Sequence, residues 1–180
     1  LLCNEKGFKM KILLDECQIS EKLDSISKDI VSDLGSHKNL VVIGIRSRGE
    51  ILAQRLCRLL SGQLGKEIPC GTLDIALYRD DIHDPHTAVR TQVRGTEIDF
   101  DIHQAVVLLV DDVLHTGRSV RAALDALTDL GRPETIRLAV LVDRGNHELP
   151  IHADYVGIKA EVKKQETVRV LLKETDQIEQ

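Results

Sequence analysis

Asp111 and Asp112 stand side by side after the apolar run Val107-Leu108-Leu109-Val110, and His115-Thr116-Gly117-Arg118-Ser119 follows within a few residues. Adjacent carboxylates repel each other and any nearby anion, so their natural partners are sugar hydroxyls and, directly or through water, a divalent cation. The loop behind them has the opposite preference. Thr116 to Ser119 bring consecutive backbone N–H groups and two hydroxyls to the start of a helical pattern, where the positive end of the helix suits a phosphate dianion. A second polar turn, Gly44-Ile45-Arg46-Ser47-Arg48-Gly49, carries two guanidinium groups and exposed backbone N–H groups, which suit a strongly anionic leaving group. Alone it reads as a solvated basic turn; one sheet element from the acidic pair, it reads as part of the same site.

The elements that must position these residues alternate between strand and helix. Asp15 with Gln18 forms a capping-box pattern, and Ile19, Leu23, Ile26, Ile30 and Leu34 recur at helical spacing until Gly35 stops the run. Leu40 to Ile45 reads as a buried strand and Leu52, Leu56, Leu59 and Leu60 as one face of the next helix. A middle strand is expected from Thr72 to Tyr78, followed by an aperiodic polar stretch from Arg79 to Asp101 of the kind that forms functional loops. Ala105 to Val110 is the most apolar strand. Asp111 to Ser119 leads from it into a helix with Val120, Ala123, Leu124 and Leu127, closed by Gly131 and Pro133. Further strands are expected at Thr135 to Val142, near Tyr155 to Gly157, and at an edge from Glu166 to Leu172. This alternation predicts an α/β fold with a mainly parallel sheet covered on both faces, its ligand crevice at the carboxyl ends of the strands.

Composition narrows the function classes. The 180 residues suit one domain, expected over residues 10–180, with residues 1–9 an extension ahead of Met10, the sole methionine. Lys and Arg number 24 against 29 Asp and Glu, a net charge of −5 that offers no global reason for nonspecific nucleic-acid binding. Phe8, Phe100, Tyr78 and Tyr155 are the only aromatic residues besides histidine, too few for base-stacking platforms. Cys3, Cys17, Cys57 and Cys70 lack metal-cluster spacing, and no apolar run approaches a membrane span, so a cytoplasmic location is expected.

The acidic pair with its Thr-Gly loop resembles the phosphoribosyl pyrophosphate (PRPP) signature of type I phosphoribosyltransferases, and Arg46 to Gly49 resembles that family's pyrophosphate loop. A generic nucleotide-fold or receiver-like strand ending in two acids would leave the anion-binding loop unexplained. Longer stretches, Leu73 to Asp81, Gly131-Arg132-Pro133, Leu141 to Gly145, Glu148-Leu149-Pro150 and Ala153 to Gly157, closely resemble the PyrR-type pyrimidine operon regulators, over about Ile12 to Gly157. The resemblance implies the type I phosphoribosyltransferase fold: a twisted, mainly parallel sheet flanked by helices, a small hood, and a flexible β-hairpin loop between Arg79 and Ile98. It implies Mg2+-dependent transfer from PRPP to a pyrimidine, uracil foremost, giving UMP and pyrophosphate, with a leader mRNA as a further partner and a homodimer or higher oligomer as the assembly. Alternatives are an RNA attenuation regulator with little catalysis, or a transferase for another base that binds no RNA.

Residue roles follow from the same resemblance. Asp111 and Asp112 hold the ribose hydroxyls and organise the metal. His115, Thr116, Gly117, Arg118 and Ser119 hold the 5′-phosphate, and Arg46, Ser47, Arg48 and Gly49 the pyrophosphate. Val142, Asp143, Tyr155 and Val156 form the hood around the base. An oxocarbenium-like ribose must be shielded from water, so the covering loop needs anion partners; Arg79 ranks ahead of Arg90 and Arg94 because it lies within a matched motif. Three positions depart from the family pattern. His115 replaces the usual Tyr, and as a neutral imidazole it either accepts a base proton or packs at the loop shoulder. The stretch Ile158 to Lys163 replaces a Lys-Asn-Ile-Pro-Thr-Ser hood segment. His147 and His152 stand where arginines are expected on the RNA surface, so RNA binding is expected to weaken at neutral pH and to strengthen as pH falls.

Overall fold

The computed structural model describes residues 2–3, 12–79, 95–160, 162 and 166–174; Met10, Arg90, Arg94 and the body of the expected hairpin lie outside the described residues. Helix α1, Glu16–Leu34, starts on the capping box: the Asp15 carboxylate accepts from the Gln18 N–H at 2.8 Å, and the Gln18 side chain accepts from the Asp15 N–H at 2.9 Å. Leu23, Ile26, Ile30 and Leu34 are buried as their spacing requires. Gly35 ends the helix for a different reason from the expected one. Its φ is −61°, so no left-handed turn is involved; a Cβ would sit 2.4 Å from the Val31 carbonyl and 3.0 Å from Leu64. Crowding against the helix's own Val31 carbonyl, with the Leu64 side chain close by, favours the glycine here.

Strands β2 (Leu40–Ile45), β3 (Cys70–Leu73), β4 (Val106–Leu114), β5 (Thr135–Asp143) and β6 (Tyr155–Lys159) form a sheet of order β3-β2-β4-β5-β6, every neighbouring pair parallel. Helices α1 and α2 (Arg48–Leu64) cover one face and α3 (Arg118–Leu130) the other. Successive residues of β4 therefore alternate between two cores: Leu108 packs with Ile30, Leu52 and Leu56, whereas Val107 and Leu109 pack with Ala123 and Leu127. Two covered faces explain why β2 and β4 read as continuous apolar runs. The strand order reverses between β2 and β4, the topological switch point where a parallel sheet opens a ligand crevice.

Several expected boundaries move. The middle strand starts earlier, at Cys70, and stops at Leu73. Asp74 then accepts from the Ala76 N–H at 2.9 Å and turns the chain into a short 3-10 segment, Ala76–Tyr78. Strand β4 continues past Val110 to Leu114, because Asp111 and Val113 still pair with Val140 and Val142 of β5. The expected last edge strand is reduced to β7, Thr167–Val168, which pairs antiparallel with β1, Leu2–Cys3, apart from the main sheet. No helix among the described residues is long and apolar enough to cross a membrane.

Tyr155 corrects an expectation. It opens β6 on the face covered by α1, where its ring is buried and its hydroxyl donates to Asp33 at 2.6 Å, so it ties β6 to α1 and does not face a base. Val156 points to the opposite core, beside Ile151 and Ala153. Tyr155→Phe is therefore expected to lower unfolding free energy by about 1 kcal/mol while leaving substrate KM unchanged. A denaturant titration beside steady-state kinetics checks this, and a raised KM with unchanged stability would restore the base-binding role.

Candidate active site

Gly49 brings the two exits together. A Cβ at this position would lie 2.5 Å from the Val110 carbonyl and 3.1 Å from the Asp111 Cα, so the first turn of α2 rests directly on the end of β4. Gly44 allows the bend that precedes it, since a Cβ there would lie 2.6 Å from the Glu50 Cα. The Arg46–Ser47 peptide between them is cis.

Asp111 is buried and Asp112 half-buried. Burial first, and then the Asp112 charge, hold the Asp111 carboxyl well above the ordinary carboxylate range; burial likewise raises Asp112. Opposing these are the Asp112 N–H, donated to Asp111 at 2.9 Å, the Val113 N–H, donated to Asp112 at 2.8 Å, and two cations. Arg79 favours the ionised form of Asp111, and Arg48 that of Asp112. The structure thus gathers Arg48, Gly49, Arg79 and the acidic pair at the switch point. Arg46 is placed differently: its guanidinium pairs with Glu50 at 3.3 Å and Glu97 at 3.0 Å, and its N–H donates to the Leu73 carbonyl. Ser47 is exposed at the rim.

Beyond β4 the loop turns on Gly117, whose φ of 89° is left-handed, and α3 begins at Arg118, whose N–H donates to the Thr116 hydroxyl at 3.3 Å. Gly117 at the N-cap position has no side chain to take up the other first-turn N–H groups. The Thr116 carbonyl accepts from the Glu148 and Leu149 N–H groups at 3.0 and 3.1 Å, so the loop after β5 braces the turn. The Arg118 guanidinium pairs with Glu148 at 2.9 Å, which leaves backbone and hydroxyl groups as the principal donors.

Arg144 is the functional residue that the sequence reading quoted within a motif but gave no role. It is buried, its N–H donates to the Leu114 carbonyl at 2.9 Å, and its guanidinium donates to the Glu166 carbonyl. One guanidinium nitrogen lies 2.9 Å from His115 Nδ1 and 3.0 Å from Nε2. Arginine only donates, so the ring nitrogen facing it must be unprotonated and the ring neutral. Burial and then Arg144 hold His115 below the ordinary histidine range, against the opposing Glu148 charge. The lone pair that would have accepted a base proton is thereby occupied, and His115 packs at the loop shoulder.

His147 also differs from expectation. Its Nε2 lies 2.9 Å from the Asp143 carboxylate, which also accepts from the Gly145 N–H at 2.8 Å, and its ring meets His152 edge-on at 5.4 Å. It is an inward partner of Asp143, whereas His152 is exposed. Val142 lines a cavity of about 50 Å³ with Leu13, Leu14, Ile19, Ile158 and Val170.

The sequence profile of the phosphoribosyl transferase domain matches residues 10–173. This chain belongs to the phosphoribosyl transferase family. It is 49% identical over 164 residues to the bifunctional protein PyrR of Limosilactobacillus fermentum, covering 91% of this chain and 92% of the relative. It is 51% identical over 164 residues to the bifunctional protein PyrR of Deinococcus radiodurans, covering 91% and 88%. The fold matches a hypoxanthine-guanine phosphoribosyltransferase from Bacillus anthracis with a TM-score of 0.67 at 18% identity, over 86% of each chain.

In this phosphoribosyltransferase, protonating His115 as pH falls would set a cation against Arg144 and break their hydrogen bond. The acid limb of kcat/KM is therefore expected below the ordinary histidine value near ~6.5, and Arg144→Gln should move it to higher pH. Proton NMR of the His115 ring, recorded beside the kinetics, should show the same upward shift; an unmoved titration would contradict the contact.

Proposed function

We propose that this phosphoribosyltransferase transfers phosphoribose from PRPP to uracil, forming UMP and pyrophosphate, and that the same nucleotide pocket informs binding to a pyrimidine-operon leader RNA. The observation that carries the enzymatic reading is the acidic pair that feels the charges of Arg48 and Arg79, directly ahead of a helix start whose N-cap residue is glycine. The half-identical relatives, each called a bifunctional protein PyrR, support both halves.

The residues divide the substrate by charge. Backbone N–H groups at Thr116 to Ser119 hold the 5′-phosphate, and the ionised pair accepts from the ribose 2′- and 3′-hydroxyls. Arg48 and Arg79 face the diphosphate, so charge that gathers on it as the C1′–O bond breaks meets fixed cations. The base nitrogen bonds C1′, and its proton leaves to solvent or to the departing diphosphate. Two adjacent carboxylates that burial holds above the ordinary range are the donor set that hydroxyls and a hydrated divalent cation complete, and Asp111 and Asp112 would hold Mg2+. Mg2+, when bound, neutralises the diphosphate. Among the described residues no cluster of three or more His, Cys, Asp or Glu forms a metal cage, so the cation would share its shell with the donor's oxygens.

On the RNA side, His147 is engaged with Asp143 whereas His152 is exposed, so His152 is the better placed of the two to meet an RNA phosphate, and the salt dependence of binding is expected to be steep.

A base panel tests the enzyme: turnover is expected with uracil and Mg2+, and preference for a purine would overturn the assignment. Thr116→Val should weaken UMP binding by roughly 1–3 kcal/mol, read by calorimetry, whereas unchanged affinity would displace the phosphate from this loop. Joint replacement of Asp111 and Asp112 by Asn should abolish turnover at every Mg2+ concentration; retained turnover would remove their role. Titration of leader RNA with UMP at two salt concentrations tests regulation, and salt-independent binding would count against a phosphate-contacting surface.

A further inference from the structure

On the other side of α2 from the sheet's crevice, two thiols meet that the transfer reaction does not use. Cys57 lies in α2, buried, and Cys70 opens the edge strand β3, exposed. The two side chains interact closely enough to shift each other's ionisation, and Ser61 also acts on Cys57. Cys57 in its thiol form also donates to the Ile68 carbonyl at 3.0 Å. Both thiols line an open groove of about 890 Å³, with Gln54, Arg58, Ser61 and Phe100 among its other walls. This is not the setting of an inert core cysteine: a small solute has a route in, and Arg58 sets a positive charge near the sulfurs.

We propose that Cys57 and Cys70 form a redox-active dithiol, a modification site that takes a small hydroperoxide and closes to an intramolecular disulfide. The two thiols line one groove on adjoining elements, so side-chain rotation is the first movement that a bridge between them asks for. Cys70 beside it holds the Cys57 thiol below its ordinary range against burial and the Glu67 charge, while Cys57 and then burial push Cys70 up, so Cys57 is the thiolate that attacks. Its sulfur bonds one peroxide oxygen, the O–O bond breaks, and the other oxygen leaves with a proton as water or an alcohol. With the charge on Cys57 gone, Cys70 ionises to solvent and attacks the sulfenic sulfur. The S–O bond breaks, and hydroxide takes up a proton and leaves as a second water. Two thiols lose two electrons and the peroxide gains them. The bridge would staple α2, which carries Arg48, to the strand that leads to Arg79. It is independent of which base the enzyme uses.

The test treats the full chain with hydrogen peroxide at low excess, alkylates remaining thiols and maps peptides by mass spectrometry. The expected result is a linked peptide pair joining positions 57 and 70, lighter by two hydrogen atoms and restored by dithiothreitol, while Cys17 stays alkylated. In Cys70→Ser the sulfenic acid on Cys57 should persist and be trapped by dimedone. In Cys57→Ser, Cys70 should stay reduced at the same peroxide dose. Links through Cys17 between chains, or Cys57 and Cys70 alkylated as fully after peroxide as before it, would overturn the proposal.

Discussion

Two adjacent carboxylates held out of water at the end of a parallel strand are the constraint around which the rest of this protein is arranged. Desolvating one ionised carboxylate is costly, and a second beside it adds repulsion, so the pair persists only where cations and aligned N–H groups compensate. Arg48 and Arg79 supply the cations from either side, and the Asp112 and Val113 N–H groups supply the dipoles. The compensation is incomplete, since both carboxyls stay above the ordinary range. In the proposed reaction, hydroxyls or a divalent cation would finish what the fold leaves undone.

Placing those cations depends on backbone contact. Arg48 reaches the pair because α2 begins against β4, and α2 can begin there because Gly49 has no Cβ to meet the Val110 carbonyl. On the far side of the crevice Arg144 performs a similar linking role. It joins the end of β4 through Leu114, the phosphate-loop shoulder through His115, and the C-terminal segment through Glu166. One buried guanidinium thus holds together three stretches distant in sequence and disfavours the charged form of the imidazole among them.

Apolar periodicity and turn chemistry carried most of the fold. Helix α1, its capping box, the buried strands and the switch-point crevice were legible because each depends on neighbours a few residues away. The acidic pair and its Thr-Gly loop were legible for the same reason. What escaped depends on partners remote in sequence. Arg46 resembled a free cation until Glu97 stood beside it. Tyr155 sat in a motif, but its hydroxyl found Asp33, 122 residues away. His147 stood where a surface arginine was expected, and Asp143 drew it inward. A one-dimensional pattern shows that a charged residue needs a partner; the crossing of strands decides which one.

The central claim is that burial disfavours the charged form of the acidic pair and that the ligand completes it. Calorimetric binding of PRPP with Mg2+ near neutral pH, repeated in buffers of different ionisation enthalpy, measures it directly. Protons should be released on binding, because a carboxyl held above its ordinary range must ionise to accept hydroxyls or a cation, and Asp111→Asn should remove most of that release. Full-affinity binding with no proton exchanged in any buffer would contradict the account.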